Sequence, residues 1–173
     1  MRPFVRFTMS RMTIKNDDYF VEVKRLLLGG NVVTVPVKGS SMSPFIVEGR
    51  DRVVIEGIET ATPENDSRRR AEVGDIVLFQ TDGKYYLHRI LRISDGVVET
   101  QGDGILHSKE YCQKNDIFGR VTTILKDGER PVSVDAPLHK ALVRLWLILH
   151  PFRRILLWIW RKTQRRSYIY LKF

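Results

Sequence analysis

Residues 39–44 read GSSMSP, a short turn-forming segment that lies between the valine-rich stretches 31–37 and 52–56. The glycine before the serines permits a tight turn and the proline after them restricts the backbone, so that one serine is presented at a fixed angle. A serine nucleophile needs such rigidity, because a displacement of about 1 Å spoils the geometry of attack. Ser41 is therefore a candidate nucleophile, with Ser40 and Ser43 as competitors.

Two later segments supply a candidate base and a candidate acid. Residues 85–91 read YYLHRIL and predict an apolar strand, in which side-chain alternation places His88 and Arg89 on opposite faces. Residues 101–104 read QGDG and place Asp103 on a turn flanked by glycines. Serine, histidine and aspartate in this order are a candidate nucleophile, base and orienting acid.

These segments resemble the sequence boxes of signal peptidase I and of the related self-cleaving SOS-type repressors. Segment 39–44 is similar to the nucleophile box Gly-x-Ser-Met-x-Pro, and GDIVLF at 74–79 is similar to the strand that follows it. HRI at 88–90 resembles the base box, which carries histidine in the endoplasmic-reticulum and archaeal branch and lysine in bacterial enzymes. GD at 102–103 and GRV at 119–121 resemble the last two boxes.

The resemblance spans about residues 30–125 and implies a mainly β fold, a signal-peptidase-like antiparallel β catalytic core. It implies a serine endopeptidase in which Ser41 attacks, His88 is the general base and Asp103 is the third catalytic residue. It also implies an extended peptide or protein substrate that pairs with strands beside the serine. The residues expected to contact this substrate are Gly39, Ser40, Met42 and Pro44.

The chain departs from the family pattern after the Gly-Asp box. The family usually has asparagine next, whereas this chain has Gly104, and the second acid of that loop is missing where it is expected, with Glu110 just beyond. Asp116 is the alternative acid. The rival bases are Lys38, Lys84 and His107. These departures keep open a catalytically inactive peptide-binding module of the same fold. A self-cleaving repressor is the weaker alternative, because it needs an N-terminal DNA-binding domain and about 30 residues precede the core.

Composition limits the other function classes. The chain has 173 residues, which predicts one domain, and its single cysteine, Cys112, excludes an intramolecular disulfide and a cysteine zinc site. We expect no metal and no cofactor. Residues 1–135 hold 20 Lys and Arg and 20 Asp and Glu, whereas residues 136–173 hold nine Lys and Arg and no acid. The net charge of +9 therefore belongs to the tail, and a nucleic-acid partner is not expected.

Periodicity divides the chain into three parts: an N-terminal arm and helix (1–30), a β peptidase core (31–135) and a basic, Trp-rich amphipathic tail (136–173). A helix is expected over residues 17–28, ended by a Gly-Gly pair. Expected strands are Asn31–Val37, Arg52–Glu56, Asp75–Phe79, Lys84–Ile93, Val97–Thr100, Ile117–Leu125 and Arg130–Val134. Asp-Gly pairs at 82–83, 95–96 and 127–128 predict hairpin turns, and residues 59–72 predict a solvated loop.

The tail predicts two short C-terminal amphipathic helices that meet at Pro151. Its apolar runs are shorter than the roughly 20 residues of a spanning helix, and the N-terminus does not read as a secretory signal. Three tryptophans and eight Lys and Arg within residues 138–166 are typical of an interfacial membrane anchor. We therefore expect a peripheral membrane protein, with the side of the membrane open. The alternative is a pair of helices packed on the β core of a cytoplasmic protein.

Overall fold

The computed structural model describes residues 4–5, 16–58 and 70–169. Most of the loop expected over 59–72 lies outside these ranges. The helices are α1 (Asn16–Leu28), α2 (Pro137–Ile148) and α3 (Arg153–Ile169), with short 3₁₀ helices at Lys114–Asp116 and His150–Phe152. The strands are β1 (Phe4–Val5), β2 (Val32–Pro36), β3 (Arg52–Gly57), β4 (Ile76–Thr81), β5 (Lys84–Ser94), β6 (Val97–Gln101), β7 (Glu110–Gln113), β8 (Ile117–Lys126) and β9 (Arg130–Ser133).

The strands of the described residues form one curled sheet in the order β1-β2-β3-β8-β4-β5-β6-β7, with β9 paired to β8. All pairs are antiparallel except β1 with β2. The sheet is a half-barrel, and the curl brings β7 back towards β4, where the Thr81 hydroxyl donates to the carbonyl of Tyr111 at 3.1 Å. The predicted mainly β fold with an N-terminal helix and C-terminal helices is confirmed.

The three predicted hairpin turns are present. Asp82, Asp95 and Asp127 all have a positive φ, between 49° and 52°, and each is followed by a glycine that also has a positive φ. Two successive residues with positive φ form the turn whose twist matches that of antiparallel strands. These turns join β4 to β5, β5 to β6 and β8 to β9.

Sequence reasoning missed two strands. β1 has only two residues, and β7 has the sequence EYCQ, in which only Cys112 is buried. A strand this short and polar lacks the apolar alternation on which strand prediction depends. β7 is important because it contributes Glu110 to the site described below.

Two apolar clusters lie on the two faces of the sheet. The larger cluster packs α1, through Val23 and Leu27, against β2, β3 and β8, and it includes Met42. The second cluster surrounds Val77, Phe79 and Ile90 on the other face. The thiol of Cys112 belongs to this second cluster, and burial raises its pKa to about 12, so that it is a structural group, as expected.

The tail forms the two predicted helices, with the break between α2 and α3 at residues 149–152. One face of α2 is buried, through His139, Val143 and Trp146, and it packs on the loop after β2, where Phe45 meets the rings of His139 and Trp146 edge to face. The tail is therefore packed on the core along one face, as one of the two alternatives expected. Within the described residues, no helix combines the length and hydropathy needed to cross a bilayer.

A buried carboxylate fixes the loop that carries the candidate nucleophile. Asp51 is 2% exposed and accepts hydrogen bonds from the Val47 N–H at 2.9 Å, the Arg50 Nε at 2.8 Å and the Lys126 Nζ at 2.9 Å. Lys126 also donates to the carbonyl of Phe45. Asp51 thus ties the end of the 39–50 segment to the end of β8. Burial raises the pKa of this carboxyl, but the hydrogen bonds outweigh burial and hold the pKa well below its usual range.

We predict that Asp51→Asn lowers the free energy of unfolding at pH 7 by about 2–4 kcal/mol, because it removes the buried charge that pairs with the partly exposed Arg50 and Lys126. The depressed pKa gives stability that is present above the unfolded pKa and is lost as pH falls through the folded pKa. The difference between wild type and variant in urea unfolding should therefore shrink on acidification below about pH 4.

The matched control is Asp82→Asn, at an exposed turn position where asparagine also tolerates a positive φ. A difference for Asp51→Asn that is no larger than that of the control, or that does not depend on pH, would contradict this account.

Candidate active site

The candidate nucleophile lies in an irregular loop that is pinned at its carbonyl groups. Ser41 is half-buried, and its carbonyl accepts the Gly104 N–H at 2.7 Å, while the Met42 carbonyl accepts the Ile46 N–H at 2.9 Å. Gly39 has a φ of +86°, in the left-handed region that favours glycine. These bonds hold the loop against the turn that carries Asp103.

The contact between the two segments is too close for side chains at Gly102 and Gly104. A Cβ on Gly102 would lie 2.5 Å from the Ser41 carbonyl oxygen, and one on Gly104 would lie 2.8 Å from that of Ser40. The glycines of the QGDG segment are therefore explained by backbone-to-backbone packing against residues 39–50, which we call the serine loop.

The backbone N–H of Ser41 makes no hydrogen bond to any described residue, and neither does its hydroxyl. The carbonyl of the same residue is held by Gly104. An N–H that is fixed in position but has no acceptor is the kind of group that can bind a developing oxyanion.

His88 lies in the middle of β5, opposite Val77 of β4, and is 3% exposed. Its ring lies among those of Phe79 and Tyr86, with centroid distances of 6.4 and 5.6 Å. Its Nδ1 lies 2.8 Å from Oε2 of Glu110. When the Glu110 carboxylate is ionised, the proton of a neutral imidazole lies on Nδ1, and Nε2 carries the free lone pair.

Burial lowers the pKa of His88, while the carboxylates of Glu110 and Asp103 act in the opposite direction. Burial dominates, because the charged imidazolium loses more hydration than these acids restore. His88 is therefore neutral at pH 7, in the tautomer that a general base needs. Its Nε2 is not among the fully enclosed, unpaired polar atoms of the described residues, whereas the Nε2 of His139 is.

The strand register brings the serine loop close to His88. Arg89 pairs with Gln101 in the β5–β6 ladder, so that extending the register by one residue places Gly102 opposite His88. Gly102 is the residue that packs on the Ser41 carbonyl. The structure therefore places these segments side by side, but it describes no hydrogen bond between the Ser41 hydroxyl and His88.

Asp103 does not hold His88, and this corrects the expected orienting role. Its two carboxylate oxygens accept hydrogen bonds from Nε and Nη2 of Arg89, at 2.9 and 2.7 Å. Both residues are 2% exposed, and Nη1 of Arg89 donates to the Gly74 carbonyl at 2.7 Å. Arg89 points to the face of β5 opposite His88, and Asp103 pairs with Arg89 on that face.

Glu110 takes the place that sequence reasoning gave to Asp103. It is half-buried and comes from β7, at the far side of the loop that follows the Gly-Asp turn. It was noted only as an acid just beyond the expected position. Recognising that β7 pairs with β6 would have identified Glu110. This pairing places Glu110 opposite Thr100, which is itself opposite Ile90 in the β5–β6 ladder.

The rival residues have different surroundings. Lys84 is the first residue of β5 and pairs with Thr81, while Lys38 and His107 are exposed. Asp116 caps the 3₁₀ helix by accepting the Gln113 N–H at 2.8 Å. These positions leave His88 as the base candidate that a carboxylate orients.

The other residues of the serine loop have different surroundings. Ser40 is exposed and Ser43 is 4% exposed, whereas Pro44 is half-buried. The side chain of Met42 is 1% exposed and belongs to the larger apolar cluster. The expected contact of Met42 with substrate is therefore limited to its backbone, because its side chain anchors the loop in the core.

No protein-family model matches the chain, and no curated protein is significantly similar to it. Within the described ranges, no cluster of three or more His, Cys, Asp or Glu side chains is arranged to hold a metal ion.

We predict that His88 titrates below the ordinary histidine pKa of about 6.5, as measured by NMR of the ring. Glu110→Gln should lower the pKa of His88 further, because it removes the carboxylate that favours the imidazolium. Glu99→Gln is the matched control, since Glu99 lies on the adjacent strand and pairs with Lys109. A rise in the pKa of His88 in Glu110→Gln, or equal shifts in the two variants, would refute this assignment.

Proposed function

We propose that the protein is a signal-peptidase-like serine endopeptidase, with Ser41 as nucleophile, His88 as general base and Glu110 as the residue that orients the base. The observation that carries the proposal is the 2.8 Å contact between His88 Nδ1 and Glu110, with the glycine turn that packs on Ser41 beside the same histidine. A base oriented by a carboxylate next to a fixed serine is the arrangement by which serine hydrolases activate a hydroxyl.

In the proposed reaction, Oγ of Ser41 attacks the carbonyl carbon of the peptide and Nε2 of His88 takes the hydroxyl proton. The carbonyl oxygen of the substrate becomes negatively charged and accepts a hydrogen bond from the N–H of Ser41. Glu110 stabilises the imidazolium, which then gives its proton to the leaving amine as the C–N bond breaks. A water molecule, deprotonated by His88, releases the acyl group from Ser41.

The resemblance to signal peptidases suggests the substrate class, an extended leader or signal segment of a peptide or protein. The Ser41 carbonyl accepts the Gly104 N–H and the Ser43 N–H donates to the Ser40 carbonyl, whereas the Ser41 N–H has no acceptor among the described residues and can bind the peptide. The best alternative is a catalytically inactive module that binds such peptides with the same fold. The two differ in one measurable property, which is whether Ser41 reacts covalently with an acylating probe.

We predict that a fluorophosphonate probe labels the wild-type protein and that Ser41→Ala abolishes the labelling. Ser40→Ala, which removes the neighbouring exposed hydroxyl, should still be labelled. His88→Ala should slow labelling by at least about 100-fold, the low end for loss of a general base. The rate should fall as pH drops through the pKa of His88, because an imidazolium cannot accept the serine proton. An unreactive wild type with intact peptide binding would favour the inactive module.

The exposed surface of the tail supports a second element of the proposal, in which the protein works at an anionic membrane surface. The outward face of the tail carries large apolar groups that are 48–74% exposed: Leu138, Leu142, Leu145, Ile148, Phe152, Ile155, Trp158 and Ile159. We call this set the outer face of α2 and α3. Arg144, Arg154, Arg161 and Lys162 have no carboxylate partner among the described residues. Apolar groups bordered by exposed cations fit anionic lipid.

We predict that the full chain co-sediments with anionic vesicles and that Leu142→Asp with Ile148→Asp does not. Both substitutions remove apolar groups from the outer face, and each adds a negative charge whose insertion into the bilayer is costly. The matched control is Val21→Asp, on the exposed side of α1 and equally apolar in the wild type. Co-sedimentation that persists in the double variant, or that does not weaken with salt, would contradict the proposed lipid contact.

A further inference from the structure

The inward side of the tail reaches the candidate site directly. Trp146 of α2 is 9% exposed, and its indole Nε1 donates to the backbone carbonyl of Asp103 at 3.2 Å. Its ring also meets that of Phe45 edge to face, with centroids 5.8 Å apart. One side chain of the tail therefore touches both the acid turn and the end of the serine loop.

The second tail helix is fastened to the same tryptophan. Arg153, the first residue of α3, is 1% exposed, and its guanidinium lies over the Trp146 ring at 5.3 Å from the centroid. Its Nε lies 3.4 Å from the Trp146 carbonyl oxygen, to which it donates. No carboxylate pairs with Arg153 among the described residues, so that its contacts with Trp146 join the start of α3 to α2.

The same helix presents its other side to solvent. Leu138, Leu142 and Leu145 recur at spacings of four and three residues, which places them on one side of α2, and all three are exposed. The interposed positions 139, 143 and 146 are buried. α2 therefore lies between the candidate site and the surface proposed to meet lipid.

We propose that Trp146 is a positioning residue that couples docking of the outer face on an anionic bilayer to the reactivity of Ser41. This inference rests on the proposed function. Trp146 holds the Asp103 turn, whose Gly104 N–H holds the Ser41 carbonyl at 2.7 Å. A displacement of about 1 Å along this chain of contacts is enough to lower the rate substantially.

A bilayer can favour this arrangement only if it binds the packed tail more tightly than a displaced one. In the packed tail, the apolar side chains of the outer face are available to lipid, and His139 and Arg153 are enclosed in protein. A displaced α2 would turn the buried imidazole of His139 towards the lipid, which is costly. Docking therefore stabilises the contact between Trp146 and Asp103.

The first test measures the rate of fluorophosphonate labelling with and without vesicles of phosphatidylglycerol and phosphatidylcholine. We expect vesicles to raise the wild-type rate. Trp146→Phe keeps an aromatic ring but loses the N–H donor, and it should label about fivefold more slowly, the effect of one lost hydrogen bond. It should also lose the response to vesicles while it still co-sediments with them.

Trp158→Phe is the matched control, because it makes the same chemical change at a position that is 62% exposed on the outer face. Equal slowing in the two variants would overturn the proposal. So would a wild-type rate that vesicles leave unchanged, an absence of vesicle binding, or a response to vesicles that persists in Trp146→Phe.

The second test does not depend on peptidase activity. Hydrogen exchange at the Gly104 amide reports the bond to the Ser41 carbonyl, and we expect anionic vesicles to slow this exchange in the wild type but not in Trp146→Phe. Slowed exchange with an unreactive Ser41 would show that docking reaches the Gly104–Ser41 bond but would reject the peptidase, and with it the coupling to reactivity. If Ser41 is reactive but the exchange rate of the Gly104 amide changes neither with vesicles nor in Trp146→Phe, the coupling alone is rejected.

Discussion

The buried ion pair between Arg89 and Asp103 is the interaction on which the rest of the site depends. It joins the middle of β5 to the Gly-Asp-Gly turn, and through that turn it reaches the serine loop and α2. A buried pair of this kind adds little net stability compared with apolar residues, but removal of one partner leaves a buried charge that costs about 3–5 kcal/mol. Its role is therefore to fix the position of the turn, and the turn in turn fixes the groups that pack on it.

The sequence predicted the scaffold of the site better than its chemistry. Local rules were sufficient for the Asp-Gly hairpins and for α1, and alternation correctly placed His88 and Arg89 on opposite faces of β5. Alternation could not predict the hydrogen-bond partner of each side chain, because Asp103 could have paired with either His88 or Arg89. The choice is made by packing of the turn on the Arg89 face, which is a tertiary property. Glu110 escaped prediction because β7 is too short and polar to be recognised.

The tail shows a similar division. Composition and spacing predicted two amphipathic helices that meet at Pro151, and the structure has them. The two interpretations of their apolar residues, packing on the core and contact with lipid, were set against each other as alternatives. In the structure the buried and the exposed residues lie on different sides of one helix: Trp146 is buried against the site, while Leu142 and Leu145 are exposed on the side proposed to meet lipid. Helical periodicity separates these sets, but the sequence does not state which set faces the core.

The identity of the base and the presence of Glu110 are physically linked. A histidine of ordinary pKa, about 6.5, is already mostly neutral at pH 7, and burial keeps His88 neutral even with a carboxylate 2.8 Å away. A lysine at position 88 would have to lose roughly three pKa units to act as a base, and a neighbouring carboxylate would instead stabilise its charged form. A carboxylate at the Nδ1 of position 88 is therefore compatible with histidine chemistry and would inhibit lysine chemistry. The geometry of β5 and β7 thus suits a histidine, and not a lysine, as the proposed base, on electrostatic grounds that are independent of sequence similarity.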